Sequence, residues 1–219
     1  DPGYETEFSD IYLWREKSGT DRLTKDERAR DPAFLDEKTL LFVKANPDTS
    51  ESIVKRNLET GAEIVLWTSR PLDRAAGLLA HSGRILFSLH ANGGHEKIVE
   101  LRDGEARPLV RLMDAKREFE RNPFLRADGT LYFAASYGHG PQQLYRFDPS
   151  TKSAVRVLAS SSGFLDRPVI LSDGRTLVAQ NYGLNGLDLV RASVPEPKDA
   201  AAGAKAGEAK EDLHEYLTG

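Results

Sequence analysis

The chain holds 219 residues, 30 basic against 34 acidic, for a formal net charge of −4, and it has no cysteine. Disulfides and thiolate metal sites are thereby excluded, and the near balance of charge offers no electrostatic case for nucleic acid as a partner. A hydrophobic content of 39% with 8% aromatics is ordinary for a globular chain with a core to bury, and no apolar run approaches the roughly 18 residues of a membrane-spanning helix.

In chain order, the first apolar segments are Asp10–Trp14 and Arg22–Thr24. Four expected strands follow, Pro32–Leu35, Thr39–Lys44, Ser52–Leu58 and Ala62–Trp67, joined by short polar turns. Leu40–Val43 is continuously apolar, as a strand covered on both faces should be. The same order then recurs every 45 or 46 residues. The turns at Asp36, Ser82-Gly83, Asp128-Gly129 and Asp173-Gly174 keep that spacing, and so do Leu41-Phe42, Leu86-Phe87, Tyr132-Phe133 and Leu177-Val178. A third column holds Ile53, Ile98, Leu144 and Leu189, with Ile11 to Leu13 as an unpaired fifth member. Periods of about 40–50 residues with several short strands per unit mark β-propeller blades. Helical repeats of similar period would need stretches of about 10–15 residues with apolar spacing of three and four, which the recurring Gly and Pro do not permit.

Asp-Gly at 128–129 and 173–174, between apolar runs, predicts two-residue type I′ hairpins, which need positive φ at both central residues. Ser82-Gly83 is a weaker form of the same signal. The expected fold is all-β, a β-propeller of four-stranded antiparallel blades. Residues 1–25 supply the last two strands of a preceding blade, and four blades occupy about 26–70, 71–115, 116–161 and 162–194. The last of them, on Pro168–Leu171, Thr176–Gln180 and Leu187–Ala192, has no evident fourth strand before Pro195. Propellers close only with complete blades, so four blades plus a partial one read as a segment of a larger propeller. Its open ends would present apolar faces to further blades or a following domain. From Pro195 the composition turns to Ala, Lys, Glu and Gly, the profile of a linker or tail over 195–219, with a short helix expected at Glu208–Leu217.

The run Ser9-Asp10-Ile11-Tyr12-Leu13-Trp14, a turn through Gly19, Arg22-Leu23-Thr24, and then Arg30-Asp31-Pro32-Ala33-Phe34 and Leu40–Val43 resembles the repeat of TolB-like propellers. The resemblance covers residues 9–192. It returns at Asn122–Phe133 and at Arg167–Leu177, and departs in the second blade, where Gly77-Leu78 stands for the Asp-Pro pair. It implies a non-catalytic, periplasmic or cell-envelope bacterial module that binds other proteins. A similar repeat also forms the substrate-gating propeller of prolyl-oligopeptidase-like and tricorn-like serine peptidases, whose catalytic domain would lie outside this chain. No Gly-x-Ser-x-Gly elbow occurs here, and Ser161-Ser162-Gly163 and Gly138-His139-Gly140 fall in expected loops. Neither a catalytic residue nor a cofactor is expected.

Charged residues recur before the first strand of each blade: Arg28, Arg30 and Asp31, then Asp73 and Arg74, Arg121 and Asn122, and Asp166 and Arg167. On a propeller these would ring one mouth of the central channel, and arginine suits bidentate capture of a carboxylate. They are the expected site for a protein or peptide partner. The architectural alternative is that each Asp caps its own turn and each Arg pairs with the neighbouring blade. Of the five histidines, His81, His90, His95, His139 and His214, only His90 and His95 lie close in sequence. Two imidazoles fall short of the three or four ligands a metal usually takes, and no calcium-loop spacing is present.

Overall fold

The computed structural model describes residues 9–109, 118–137, 141–148, 153–160, 163–184 and 186–194. Regular structure among them is entirely β, and no helix there is long and apolar enough to cross a membrane. A hairpin of β1 (Tyr12–Arg15) and β2 (Gly19–Arg22) comes first. The first set of strands is β3 (Ala29–Asp36), β4 (Thr39–Ala45), β5 (Glu51–Asn57) and β6 (Glu63–Thr68). The second is β7 (Arg74–His81), β8 (Arg84–Ala91), β9 (His95–Arg102) and β10 (Glu105–Pro108). The third is β11 (Glu118–Leu125), β12 (Leu131–Tyr137), β13 (Gln143–Asp148) and β14 (Ser153–Leu158). The last has three strands, β15 (Gly163–Ile170), β16 (Thr176–Gly183) and β17 (Gly186–Ser193).

Within each set the strands pair antiparallel in sequence order, and a single parallel bridge, Phe119 to Glu96, joins the second set to the third. The first strands stand side by side, β3 against β7, β7 against β11 and β11 against β15. No strand pairing among the described residues carries β15 back to β3.

The core lies between the sets. Side chains alternate across a strand, so each central strand sends one apolar row to the set before it and one to the set after. Leu40 and Phe42 face the opening hairpin and meet Ile11 and Leu23. Val43 and Ile53 meet Phe87, Leu89 and Val99 of the second set, with Trp67 against Phe87 at a centroid distance of 5.1 Å. Leu86 and Ile98 meet Leu131, Phe133 and Ala135, and Tyr132, Ala134 and Leu144 meet Leu165, Leu177 and Ala179. This two-sided coverage is why Leu40–Val43 is apolar at every position and no more than 2% exposed. Full burial of such side chains stabilises by about 1.5–3 kcal/mol each.

The four expected strands of the first copy form within one to three residues of their predicted ends. Two details differ. Pairing aligns Leu41, Leu86 and Tyr132 with Val178, not Leu177, because they face Ala33, Leu79, Phe124 and Val169 respectively. The paired Ile170 and Leu177 enclose six residues where Leu125 and Leu131 enclose five, so the fourth copy gains one residue relative to the third, and a one-residue slip exchanges the two faces of a strand. The Asp-Gly turns also differ from expectation. At 128–129 and 173–174 only the glycine has positive φ, and the Asp instead accepts backbone N–H groups two residues on, Thr130 at 2.9 Å and Arg175 at 2.9 Å. Type I′ geometry appears at Ser82-Gly83 (φ 50° and 75°) and Asp103-Gly104 (φ 53° and 79°), where residues 81–84 and 102–105 close two-residue hairpins.

Candidate functional site

Every first strand carries a β-bulge at the same point of the repeat, between Arg30 and Ala33, Ala76 and Leu79, Arg121 and Phe124, and Asp166 and Val169. The residue that opens each bulge has left-handed backbone: Asp31 (φ 51°), Gly77 (60°), Asn122 (52°) and Arg167 (47°). Glycine adopts this region freely and Asp or Asn tolerate it, whereas an arginine there is strained. Next come Pro32, Leu78, Pro123 and Pro168. A bulge takes this residue out of the pairing, so the missing N–H of proline costs nothing there.

The four bulges converge on one cavity of about 340 Å³, walled by these eight residues with Leu79, Phe124 and Val169. Seven of its eleven lining residues are apolar, and its polar side chains are Asp31, Asn122 and Arg167. Asp31 accepts a hydrogen bond from Arg30 Nη1 at 2.8 Å. Asn122 donates from Nδ2 to Asp166 Oδ1 at 2.6 Å, tying the third set to the fourth.

Of the nine predicted site residues, Asp31, Asn122 and Arg167 reach the cavity and the others do not line it. Arg30 and Arg121 turn to carboxylates. Arg30 Nη2 lies 2.6 Å from Glu51 Oε1, and its Nη1 donates across to the Ala75 carbonyl at 2.7 Å. Arg121 Nη2 lies 2.6 Å from Glu96 Oε2 in the neighbouring set. Asp166 is buried and caps its own turn through the Arg167 N–H at 2.9 Å. Asp73 is buried beneath the β8–β9 turn, accepting from Asn92 N–H at 2.7 Å. Arg74, at the start of β7, is exposed and pairs in register with His90, and Arg28 is exposed at φ 51°. The expected ring therefore needs a correction in the second copy: the position equivalent to Asp31 is Gly77, and Asp73 and Arg74 lie three to four residues before it.

A second periodic column went unread in the sequence. Glu51, Glu96 and Gln142 stand 45 and 46 residues apart and tie each set to the next. Glu51 Oε2 accepts from the Ala75 N–H at 2.6 Å, Glu96 holds Arg121, and Gln142 Nε2 donates to the Leu165 carbonyl at 2.8 Å. Burial raises the Glu96 carboxyl above its ordinary value despite the Arg121 charge beside it. The fourth member of the column is Leu187, which is 54% exposed. The ring of His95, across the β8–β9 hairpin from His90, is held below its usual pKa by burial, then by the charges of Lys97 and His90. Among the described residues no group of three or more His, Asp or Glu side chains is arranged to hold a metal. His139, His214, Gly138-His139-Gly140, Ser161-Ser162 and the expected helix at Glu208–Leu217 lie outside the described residues.

Repeated antiparallel meanders set face to face around a bulge-lined axis define a propeller-type repeat protein. No family model and no curated protein sequence matches the chain. Solved structures do. TolB from Acinetobacter baumannii is 17% identical, with a TM-score of 0.63 over 85% of this chain and 45% of that one. A putative TolB from Agrobacterium tumefaciens is 14% identical, with a TM-score of 0.62 over 87% of this chain and 66% of that one. A puromycin-hydrolysing peptidase of Mycobacterium tuberculosis is 17% identical, with a TM-score of 0.56 over 81% of this chain and 29% of that one. The chain has a TolB-like propeller fold, and it spans less than half the length of the Acinetobacter TolB and of the mycobacterial peptidase.

Proposed function

We propose that this chain is a segment of a larger, non-catalytic TolB-like propeller that serves as a protein-interaction module in the bacterial cell envelope. The observation that carries the reading is the cavity at the axis, where four equivalent bulges bring seven apolar residues and three polar side chains to one place. Concave, largely apolar sites with a few placed polar groups are the usual form of a binding pocket. The periplasmic location rests on the likeness to TolB alone. The membership of a larger propeller, with further blades or a following domain, rests on the apolar face that the last set leaves open. Arg30 and Arg121 take architectural roles in this reading, as struts between sets, and only Asp31, Asn122 and Arg167 remain for a partner.

A second reading is favoured by the likeness to the mycobacterial peptidase: the same segment as the substrate-gating propeller of a serine peptidase whose catalytic domain lies outside this chain. The two readings separate on the intact protein. A fluorophosphonate probe should leave it unlabelled if it is an interaction module. Photo-crosslinkers placed at Leu78 and Val169 in the cavity should then yield protein adducts that crosslinkers at exposed Glu63 do not. Labelling of an active serine, with peptide hydrolysis, would establish the peptidase reading instead.

A further inference from the structure

We propose that Asn92, at the tip of the β8–β9 hairpin, is a deamidation site, its side-chain amide converting to a carboxylate through a cyclic imide formed with the Gly93 backbone nitrogen. This goes beyond the interaction reading and does not rest on the axial cavity. The register pair Ala91 and His95 closes a loop of three residues, Asn92, Gly93 and Gly94, all exposed. Both glycines have positive φ, 129° and 107°, and beyond their chain neighbours no atom lies within 4 Å of where a Cβ would stand on either. Glycine adopts such backbone freely and puts no side chain in the way of its own nitrogen. The loop is anchored at two points: the Asn92 N–H donates to the buried Asp73 carboxylate at 2.7 Å, and the Gly94 N–H donates to the Ala91 carbonyl at 3.1 Å. Between those anchors, the Asn92 side chain and the Gly93 N–H make no hydrogen bond with any described residue.

The reaction needs an uncommitted side-chain amide followed by an uncommitted N–H, and among the five described asparagines Asn92 alone has both. Pro47 and Pro123 follow Asn46 and Asn122, so no N–H stands there to react. Asn57 Oδ1 accepts from the Glu59 and Thr60 N–H groups at 2.9 Å each, and the following Leu58 N–H is committed to the Lys38 carbonyl at 2.8 Å. Asn181 lies inside β16, paired with Leu165 on one side and Asp188 on the other, where backbone N–H groups belong to the ladder. Asn185-Gly186 repeats the dipeptide, with Asn185 outside the described residues.

The step balances with water as the sole co-reactant. The Gly93 nitrogen, having lost its proton, attacks Asn92 Cγ; the new C–N bond forms as the Cγ–Nδ2 bond breaks, and Nδ2 leaves with that proton as ammonia. Water then opens the imide, at Cγ to give aspartate or at the main-chain carbonyl to give isoaspartate. Either product sets a carboxylate on the residue that Asp73 holds, and like charges repel. Isoaspartate also lengthens the loop by one main-chain atom, which the Ala91–Gly94 hydrogen bond must absorb.

The test is incubation of the folded 219-residue chain in mildly alkaline buffer, then trypsin digestion and mass spectrometry of Ile85–Lys97 and Asn57–Arg74 against an unincubated sample. The peptide with Asn92 should gain about 1 Da, and an isoaspartyl group that protein isoaspartyl methyltransferase labels, at least about tenfold faster than the peptide with Asn57. The rate should fall in mildly acidic buffer, which keeps the Gly93 nitrogen protonated. In urea the gap between the two peptides should narrow, because Asn57 and Leu58 are then released from their hydrogen bonds. Asn92→Gln, at an exposed position, should fold as the parent chain does and leave its peptide unchanged in mass. Asn92→Asp should speed amide exchange at Gly94 by at least about twofold. No mass gain at Asn92, or a gain in the folded chain no faster than at Asn57, would overturn the proposal.

Discussion

Leu144 and Leu189 occupy the same point of the repeat, on the third strand of the third and fourth sets, and their surroundings are opposite. Leu144 is fully buried, as are Ile53 and Ile98 before it, each covered by the set that follows; Leu189 is 75% exposed. The contrast extends across the whole face. Phe164 and Tyr182 stack at 4.7 Å on the outer side of β15 and β16, and Phe164, Val169 and Leu187 are each at least 44% exposed. The tying column changes with it, from Glu51, Glu96 and Gln142 to an apolar Leu187. What this teaches is that a repeat protein stabilises each unit mainly through its neighbours, so identical residues differ in worth according to what stands beside them. An apolar sheet face of this kind is the mark of a contact surface.

The contrast yields graded predictions. Leu144→Ala should lower unfolding free energy by about 2–5 kcal/mol, the usual range for a fully buried Leu, whereas Leu189→Ala should change it by less than about 0.5; urea denaturation of the two variants measures both. A smaller loss is expected at the polar tie. Glu96→Ala should cost about 1–3 kcal/mol, below the roughly 3–5 of a fully buried pair because Arg121 keeps part of its hydration. Gly77→Ala should cost about 1–2 kcal/mol from its left-handed backbone and should also disturb the axial cavity. Its Cβ would lie 2.7 Å from Asn122 Oδ1 and 3.2 Å from Asn122 Cα, so amide shifts of the third bulge should move with it.

The smallest effects are in the pH dependence. Hydrogen bonds from Thr176, Arg175 and the Thr176 backbone hold Asp173 down to about 2, from an ordinary 3.8. Its contribution is therefore present above the ordinary value and lost as pH falls toward about 2. Glu96 acts in the opposite sense: raised by burial, it binds its proton more readily in the folded chain, so stability declines as pH rises from its ordinary 4.5 through the raised value. Asp173→Asn should flatten the first slope and Glu96→Gln the second in melting curves taken from pH 2 to 7.

Much of this architecture was legible because the repeat writes the same physics several times. The Ile53, Ile98, Leu144 and Leu189 column stands in the order the sequence implies, and the Leu40–Val43 run reads directly as two-sided burial. What remained hidden depended on single residues. One additional residue between the paired Ile170 and Leu177, relative to Leu125 and Leu131, shifts the fourth copy by a position, and spacing alone does not reveal which side of a turn takes it. The Asp-Gly turns went astray because an Asp side chain that accepts N–H groups two residues ahead stabilises a longer loop as well as a two-residue one. Among the site residues, Asp31, Asn122 and Arg167 shared a visible spacing, and Gly77 was legible at the Asp position of the repeat, but the charges of Asp73 and Arg74 drew the second-copy site to them instead. The Glu51, Glu96 and Gln142 column had the period and was passed over because a change from acid to amide breaks a chemical pattern while keeping a hydrogen-bonding one.

The contrast between covered and uncovered faces is tested most directly by amide hydrogen exchange along the third strands of the four sets in the 219-residue chain. Opening free energies follow burial and neighbour contacts. The amides of β5, β9 and β13 should therefore exchange slowly, near the rate of global unfolding, and those of Leu187 to Val190 in β17 should exchange at least tenfold faster. Protection of β17 equal to that of β13 would mean that the face of the last set is covered in this chain as it stands, and would contradict the reading of that face as the contact surface of a larger propeller.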